Sequence, residues 1–103
     1  MRVTGWSNGS PDNRTGAGYG LRMNMVDRDT YFKESWKNVV IELDSGTEIQ
    51  VKLSKSFWKS CTELRSAGIG KWMIENKLVP WIKGVPPILS LRSIGERRFK
   101  LSK

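Results

Sequence analysis

Apolar and polar residues alternate along most of this chain with a period of two, which is typical of half-buried β-strands. The clearest example is VVIELDSGTEIQVKL, residues 39–53, where two alternating runs flank an Asp-Ser-Gly turn. This pattern predicts a β-hairpin. The same alternation predicts five further strands, at residues 2–6, 19–26, 62–65, 88–92 and 97–102.

Two segments break this alternation and predict short helices. Asp27 is positioned to cap a helix over residues 28–35, and Ser66 to cap another over residues 67–77. In the second helix the apolar residues recur at i, i+3 and i+4, so Trp72 is assigned to the core. We therefore expect a mainly β fold with seven strands and two short helices. The chain has 103 residues, which suits one domain.

Two polar segments separate these elements. Residues 7–18 consist mostly of turn-forming residues, which predicts a long exposed loop. Residues 54–61 follow no single period and carry two lysines beside the pair Phe57-Trp58. We interpret this segment as an excursion from the sheet, and its aromatic pair as one buried and one more exposed side chain.

The chain carries a net charge of +8, and all of the excess lies in its second half. Residues 1–53 contain seven Lys and Arg against seven Asp and Glu, whereas residues 54–103 contain eleven against three. A basic surface favours polyanions, because neutralised phosphates release their condensed counterions. The alternative that the charge merely keeps a small domain in solution stays open at this point.

Several classes of function are excluded or disfavoured by composition. With one cysteine and no histidine, the chain supports neither a disulfide framework, nor a zinc site, nor histidine-based catalysis. The glycine-rich residues 16–20 precede a strand rather than a helix, so they do not form a phosphate loop. No apolar run suits a membrane span or a secretory signal. We expect an intracellular protein, in the cytoplasm, nucleoid or nucleus, that is not an enzyme and needs no cofactor.

Four segments carry a family resemblance: RMNMVDRDTYF, IELDSGTEIQVKL, SFWKSCTELRSAGIGKWMIENKL and IGERRFKLS. In their order along the chain they resemble the DNA-binding pseudobarrel of plant auxin-response-factor and abscisic-acid-insensitive transcription factors. They also resemble the related effector-recognition domains of certain restriction endonucleases. The resemblance implies a seven-stranded open pseudobarrel with two short helices. The chain departs from the family at residues 83–87, where the family has Gly-Asp leading into a strand.

In that family two loops grip the major groove of DNA. Carried over by position, the resemblance assigns an N-arm to residues 7–18 and a C-arm to residues 54–62, and implies binding of double-stranded DNA without catalysis. Arginine recognises guanine and asparagine recognises adenine, whereas lysine and serine suit phosphates and an indole can stack on a base. The candidate DNA-binding residues are Asn8, Asn13, Arg14, Thr15, Arg22, Lys55, Trp58, Lys59 and Ser60.

Two other functions remain open. The chain could be a structural or protein-interaction domain, with its tryptophans and the Pro86-Pro87 loop as a partner surface. It could also bind single-stranded nucleic acid with Trp58 as a stacking platform. A homodimer or a protein partner is compatible with the duplex hypothesis as well, since a single module buries only about 600–1,000 Å² of surface on DNA.

Overall fold

The computed structural model describes all 103 residues. Seven strands, two α-helices and one short 3₁₀ helix, Lys55–Trp58, form the fold, which confirms the mainly β class with seven strands and two helices. The helices are α1 (Met25–Tyr31) and α2 (Ala67–Glu75). The strands are β1 (Arg2–Ser7), β2 (Tyr19–Arg22), β3 (Asn38–Glu42), β4 (Glu48–Lys52), β5 (Glu63–Arg65), β6 (Ile88–Gly95) and β7 (Arg98–Ser102).

The strands form one sheet in the order β4-β3-β7-β6-β1-β2-β5, which curls into a nearly closed barrel. All neighbouring strands are antiparallel except β3 and β7, which are parallel. The two ends of the sheet, β4 and β5, approach each other without pairing. Helix α2 lies at this opening, where Gly68 approaches Ile49 of β4. The fold is therefore an open barrel, as the resemblance implies.

One core of 19 buried residues fills the barrel. It follows the predicted alternation, because inward residues such as Val39 and Ile41 of β3 are completely buried while their neighbours are not. A cluster of phenylalanines lies near its centre, and Phe32 stacks on Phe99 with ring centroids 4.7 Å apart. Trp72 is buried as predicted, and its indole Nε1 donates a hydrogen bond to Asp44.

The largest difference from the predicted elements is at α1. The alternation predicts a strand to residue 26 and a helix over residues 28–35, but β2 ends at Arg22 and α1 begins at Met25. The cap is Asn24 rather than Asp27: its side-chain oxygen accepts a hydrogen bond from the Asp27 amide at 2.8 Å. An asparagine side chain competes strongly for the free amides of a helix, and this ends the strand early.

Smaller differences occur near the C-terminus. Strand β6 continues to Gly95, well beyond the predicted residue 92, so β6 and β7 are joined by a tight turn at Glu96 and Arg97. A register shift between Ser93 and Gly95 accommodates the extra residue. Helix α2 ends at Glu75 rather than at residue 77, where Lys77 adopts a positive φ of 57°.

Candidate nucleic-acid interface

The two predicted arms lie at opposite ends of the β2–β5 pair. The N-arm, residues 7–18, leads directly into β2, whereas the C-arm, residues 54–62, leads directly into β5. Because these strands are antiparallel, with Gly20 opposite Arg65 and Arg22 opposite Glu63, the arms flank the pair from its two ends. The four residues of β2 give three residue steps between its ends, roughly 10 Å at the usual rise of a strand.

The N-arm is closed by hydrogen bonds within itself. The Asn8 amide donates to the Gly18 carbonyl at 2.9 Å, which closes the base of the loop. At its tip the Asp12 carboxylate accepts from the amides of Arg14, at 2.8 Å, and Thr15, at 3.3 Å. These hydrogen bonds, above all the one from Arg14, hold the pKa of Asp12 below its ordinary value of 3.8.

A glycine contact attaches the N-arm to α2. A Cβ atom on Gly70 would lie 2.0 Å from the Gly16 carbonyl oxygen, so the helix and the loop touch backbone to backbone. Gly16 itself has a φ of +83°, which favours glycine. Gly70 in the first turn of α2 thus has a packing role, since only glycine allows this approach.

The four predicted N-arm residues are exposed, but only part of their hydrogen-bonding capacity is free. The side-chain oxygen of Asn8 accepts from the Ser10 amide at 2.9 Å, and that of Asn13 accepts from the Tyr19 hydroxyl. Burial raises the pKa of Tyr19, which keeps this hydroxyl protonated. Arg14 is 92% exposed and lies 4.0 Å from Asp12. A bidentate contact to adenine uses the side-chain oxygen of asparagine, which is already engaged in Asn8 and Asn13. Of these residues, Arg14 therefore has the most hydrogen-bonding capacity left for a base.

The C-arm is held by residues from elsewhere in the chain. Phe57 is completely buried and packs edge-on against Phe32 at 5.2 Å. Arg28 of α1 is 7% exposed, and its guanidinium donates to the carbonyls of Phe57, at 3.0 Å, and Lys59, at 2.9 Å. Ser54 caps the 3₁₀ helix, since its hydroxyl accepts from the Phe57 amide at 3.3 Å. The arm is therefore a pinned loop.

Three predicted C-arm residues, Lys55, Trp58 and Lys59, line one cleft of about 360 Å³. Trp36 and Lys37, from the segment before β3, line the same cleft. Trp58 is half-buried and Phe57 is buried, as expected for the aromatic pair. Ser60 is exposed beside the cleft without lining it. We call this feature the C-arm cleft.

Between the arms, the outer face of β2 and β5 carries a pair of arginines around one buried carboxylate. The side chain of Glu63 is 5% exposed, and its oxygens lie 3.5 Å from Arg22 and 3.1 Å from Arg65. The arginine side chains themselves are 57% and 49% exposed. The Arg65 guanidinium also lies over the ring of Trp6, 5.0 Å from its centroid, across the gap left by Gly20. This Arg22–Glu63–Arg65 cluster is rigid at its base and open at its surface.

Arginines and lysines have different electrostatic partners in this structure. Every one of the five ion pairs uses an arginine, and no lysine ammonium lies within 4.0 Å of a carboxylate. Lysines with long flexible stems and no partner can move to meet an external anion. The lysines of the C-arm cleft are therefore available, while Arg22 and Arg65 are oriented.

Sequence reasoning missed Arg28, Glu63, Arg65 and the contribution of Trp36 to the cleft. Glu63 and Arg65 are two apart on a predicted strand, so the period of two already placed them on one face with Leu64 opposite. Nothing in the sequence connects Arg28 to carbonyls 29 and 31 residues away. Trp6 is outside the core and lies on the outer face below Arg65.

The chain thus forms a small, mainly β, seven-stranded open barrel with arginine and lysine side chains between and beside two loops. No protein-family model, curated protein or solved structure gives a significant match to the chain. Neither helix has the length and apolar character needed to cross a membrane. No three Cys, Asp or Glu side chains are grouped so that they could hold a metal ion.

Proposed function

We propose that this protein binds double-stranded DNA inside the cell through its two arms, without catalysis. The observation that carries the proposal is the Arg22–Glu63–Arg65 cluster on the face that the arms flank. The separation of the arms along β2, roughly 10 Å, is comparable with the major groove of B-form DNA, which is about 12 Å wide. A groove edge resting on this face would meet both arms.

The cluster suits contacts with base edges. A guanidinium presents two parallel donors to the N7 and O6 atoms of guanine, and it does so best when its orientation is fixed in advance. Glu63 supplies that orientation to both arginines, and Trp6 supplies a second support to Arg65. In this proposal Arg22 and Arg65 recognise bases, and Arg14 extends the contact from the N-arm.

The lysines suit the phosphates on either side of the groove. Lys55 and Lys59 are exposed on the C-arm and have no carboxylate partner. Lysine contacts phosphate as a mobile point charge, which positions the protein without selecting a sequence. Ser60, Asn13 and Thr15 would add neutral hydrogen bonds on the two arms, and Asn8 would add one at the base of the N-arm.

The proposal is tested by fluorescence anisotropy of labelled duplexes across a salt series. We expect duplex binding whose log–log salt slope corresponds to several phosphates, at about 0.9 per phosphate. Arg65→Ala and Arg22→Ala should each weaken the preferred duplex by about 1–3 kcal/mol and relax the base preference. Arg92→Ala, on the exposed part of β6, is the matched control. Absence of duplex binding at low salt would overturn the proposal. If the arginine variants lose the same affinity for every sequence, the assignment of Arg22 and Arg65 to base recognition is wrong.

A second candidate function, binding of a protein partner or a second copy of the chain, is favoured by one exposed apolar patch. Ile82, Val85 and Ile88 are all exposed beside the Pro86-Pro87 loop, whose Pro87 carbonyl accepts from the Gly5 amide of β1. Exposed apolar groups in such a cluster are typical of contact surfaces. Sedimentation velocity distinguishes this function: Ile82→Ser with Ile88→Ser should dissociate a dimer without changing DNA affinity per protomer.

A further inference from the structure

The C-arm cleft has the size and the lining of a site for one nucleotide. Its volume of about 360 Å³ lies at the lower end of the range for small-molecule sites, about 300–1,000 Å³. Two indoles, Trp36 and Trp58, contribute to its lining. Three lysines surround them with a single carboxylate, Glu34. Flat aromatic surfaces beside an excess of positive charge match a ligand that is both planar and anionic.

The two indoles are held firmly by the core. Trp36 packs against Phe32 with centroids 6.2 Å apart, and Trp58 packs edge-on against Phe57 at 5.1 Å. Phe32 and Phe57 contact each other, which links the two indoles into one aromatic cluster. Because the two indoles are already fixed, they lose little conformational freedom when a ring stacks on them. Little of the stacking free energy is therefore spent on ordering the side chains.

The charged side chains around the cleft would hold the phosphate of such a ligand. Arg28 lies over Trp58, 5.7 Å from its ring, and is itself buried, so one side of this indole is already occupied from within the protein. Lys37, Lys55 and Lys59 lie at the cleft without any carboxylate within 4.0 Å. They are therefore free to neutralise a phosphate attached to a ring that rests between the indoles.

A second, adjoining cleft continues this basic surface. It shares Lys37 with the first cleft and is otherwise lined by Asn38, Gln50 and Lys52 on the outer face of β3 and β4. Its volume is about 350 Å³, and no acidic residue lines it. A single nucleotide in the first cleft would thus lead to a path for the next phosphates of the same strand.

From these features we propose that the C-arm cleft binds one unpaired nucleotide of a DNA strand, with its base between Trp36 and Trp58 and its phosphates on the lysines. A paired base inside a duplex is covered by its neighbours, so only an unpaired or extruded base can enter. This inference rests on the proposed duplex binding, because the unpaired nucleotide is taken to belong to the same DNA that the two arms bind.

The test compares two duplexes that differ at one position, where 2-aminopurine is either paired with thymine or placed opposite an abasic site. We expect the duplex with the unpaired base to bind about tenfold more tightly, and its 2-aminopurine fluorescence to change on binding. Trp58→Leu and Trp36→Leu should each abolish this difference, and Trp36→Leu, which changes a residue outside both arms, should leave the affinity for the paired duplex unchanged. Trp81→Leu is the matched control, because Trp81 is half-buried but packs against Tyr19, away from the cleft.

The possible outcomes separate this inference from the proposed function. Equal affinity for both duplexes, or a tenfold difference that survives in both tryptophan variants, would overturn the cleft. Failure of the paired duplex to bind, together with binding of a single-stranded oligonucleotide that needs Trp58, would support the cleft and overturn the two-arm function. Deoxyadenosine monophosphate is titrated in parallel. If it binds as tightly as the oligonucleotide, the ligand is a free nucleotide and the strand-based inference is wrong.

Discussion

The N-arm and the C-arm connect strands in the same way but are stabilised differently. The N-arm is organised by its own residues, through Asp12 at the tip and the Asn8–Gly18 contact at the base. The C-arm depends on partners outside it, chiefly Arg28 and the aromatic core. Apart from its backbone contact with α2 at Gly16, the N-arm is thus shaped locally, whereas the shape of the C-arm is set by tertiary packing.

The two arms also differ in charge. Arg14 of the N-arm shares its tip with Asp12, so this loop is nearly neutral. The C-arm carries Lys55 and Lys59 without an acidic residue. We therefore expect the N-arm to contribute shape and a single arginine, and the C-arm to contribute most of the electrostatic attraction for a polyanion.

The largest expected effect is removal of the Arg28 guanidinium. Arg28→Met retains the apolar stem but leaves the carbonyls of Phe57 and Lys59 without their donor, which we expect to cost about 2–3 kcal/mol of stability. Urea unfolding measures the loss, and hydrogen exchange of the Cys61 amide should accelerate while that of Gly16 does not. Lys33→Met, at an exposed position, is the control. Equal acceleration in both arms would contradict the separate anchoring of the C-arm.

Next in size is the glycine contact of the N-arm. Gly70→Ala forces the loop and α2 apart, and overpacking of this kind typically costs about 1–3 kcal/mol. In this variant hydrogen exchange of the Gly16 amide should accelerate and that of the Cys61 amide should not, which is the reverse of the result expected for Arg28→Met. Gly95→Ala has no close neighbour below 3.9 Å and serves as the control. If Gly70→Ala is as well tolerated as Gly95→Ala, the N-arm is not attached through this contact.

The third prediction concerns the charges of the two arms. Lys55→Ala combined with Lys59→Ala should lower the log–log salt slope of duplex binding by about 1.8, at about 0.9 per phosphate contact. Arg14→Ala should lower it by no more than one contact. Both variants change exposed side chains, so their unfolding curves should match that of the parent protein. A larger change in slope from Arg14→Ala would reverse the assignment of roles.

The smallest expected effect is the pH response of the N-arm. The pKa of Asp12 is lower in the folded protein, so the stabilisation by its carboxylate is present above the ordinary value of 3.8 and is lost as the pH falls through the lowered one. In an NMR titration the amides of Arg14 and Thr15 should shift with a midpoint below 3.8. The Phe57 amide is capped by a serine hydroxyl and should not follow them. A midpoint at or above 3.8 would mean that these hydrogen bonds do not persist in solution.

The sequence predicts the strands better than the site. The β3–β4 hairpin follows from alternation alone, because its pairing is local and one face is buried. The start of α1 is misplaced since Asn24 and Asp27 are both good caps, and local pattern does not rank them. The C-arm cleft could not be predicted, because it joins Trp36 to Trp58 through the packing of Phe32 on Phe57. Such contacts depend on topology rather than on spacing.

The strand order also has a consequence for how the protein is made. Strands β6 and β7 join the β3–β4 hairpin on one side to β1, β2 and β5 on the other, and no other pairing connects these two halves. During synthesis the earlier strands therefore emerge as two separate, incomplete sheets. The barrel, its single core and the face between the arms can assemble only after the last strand has left the ribosome, so folding must follow translation of this region rather than accompany it.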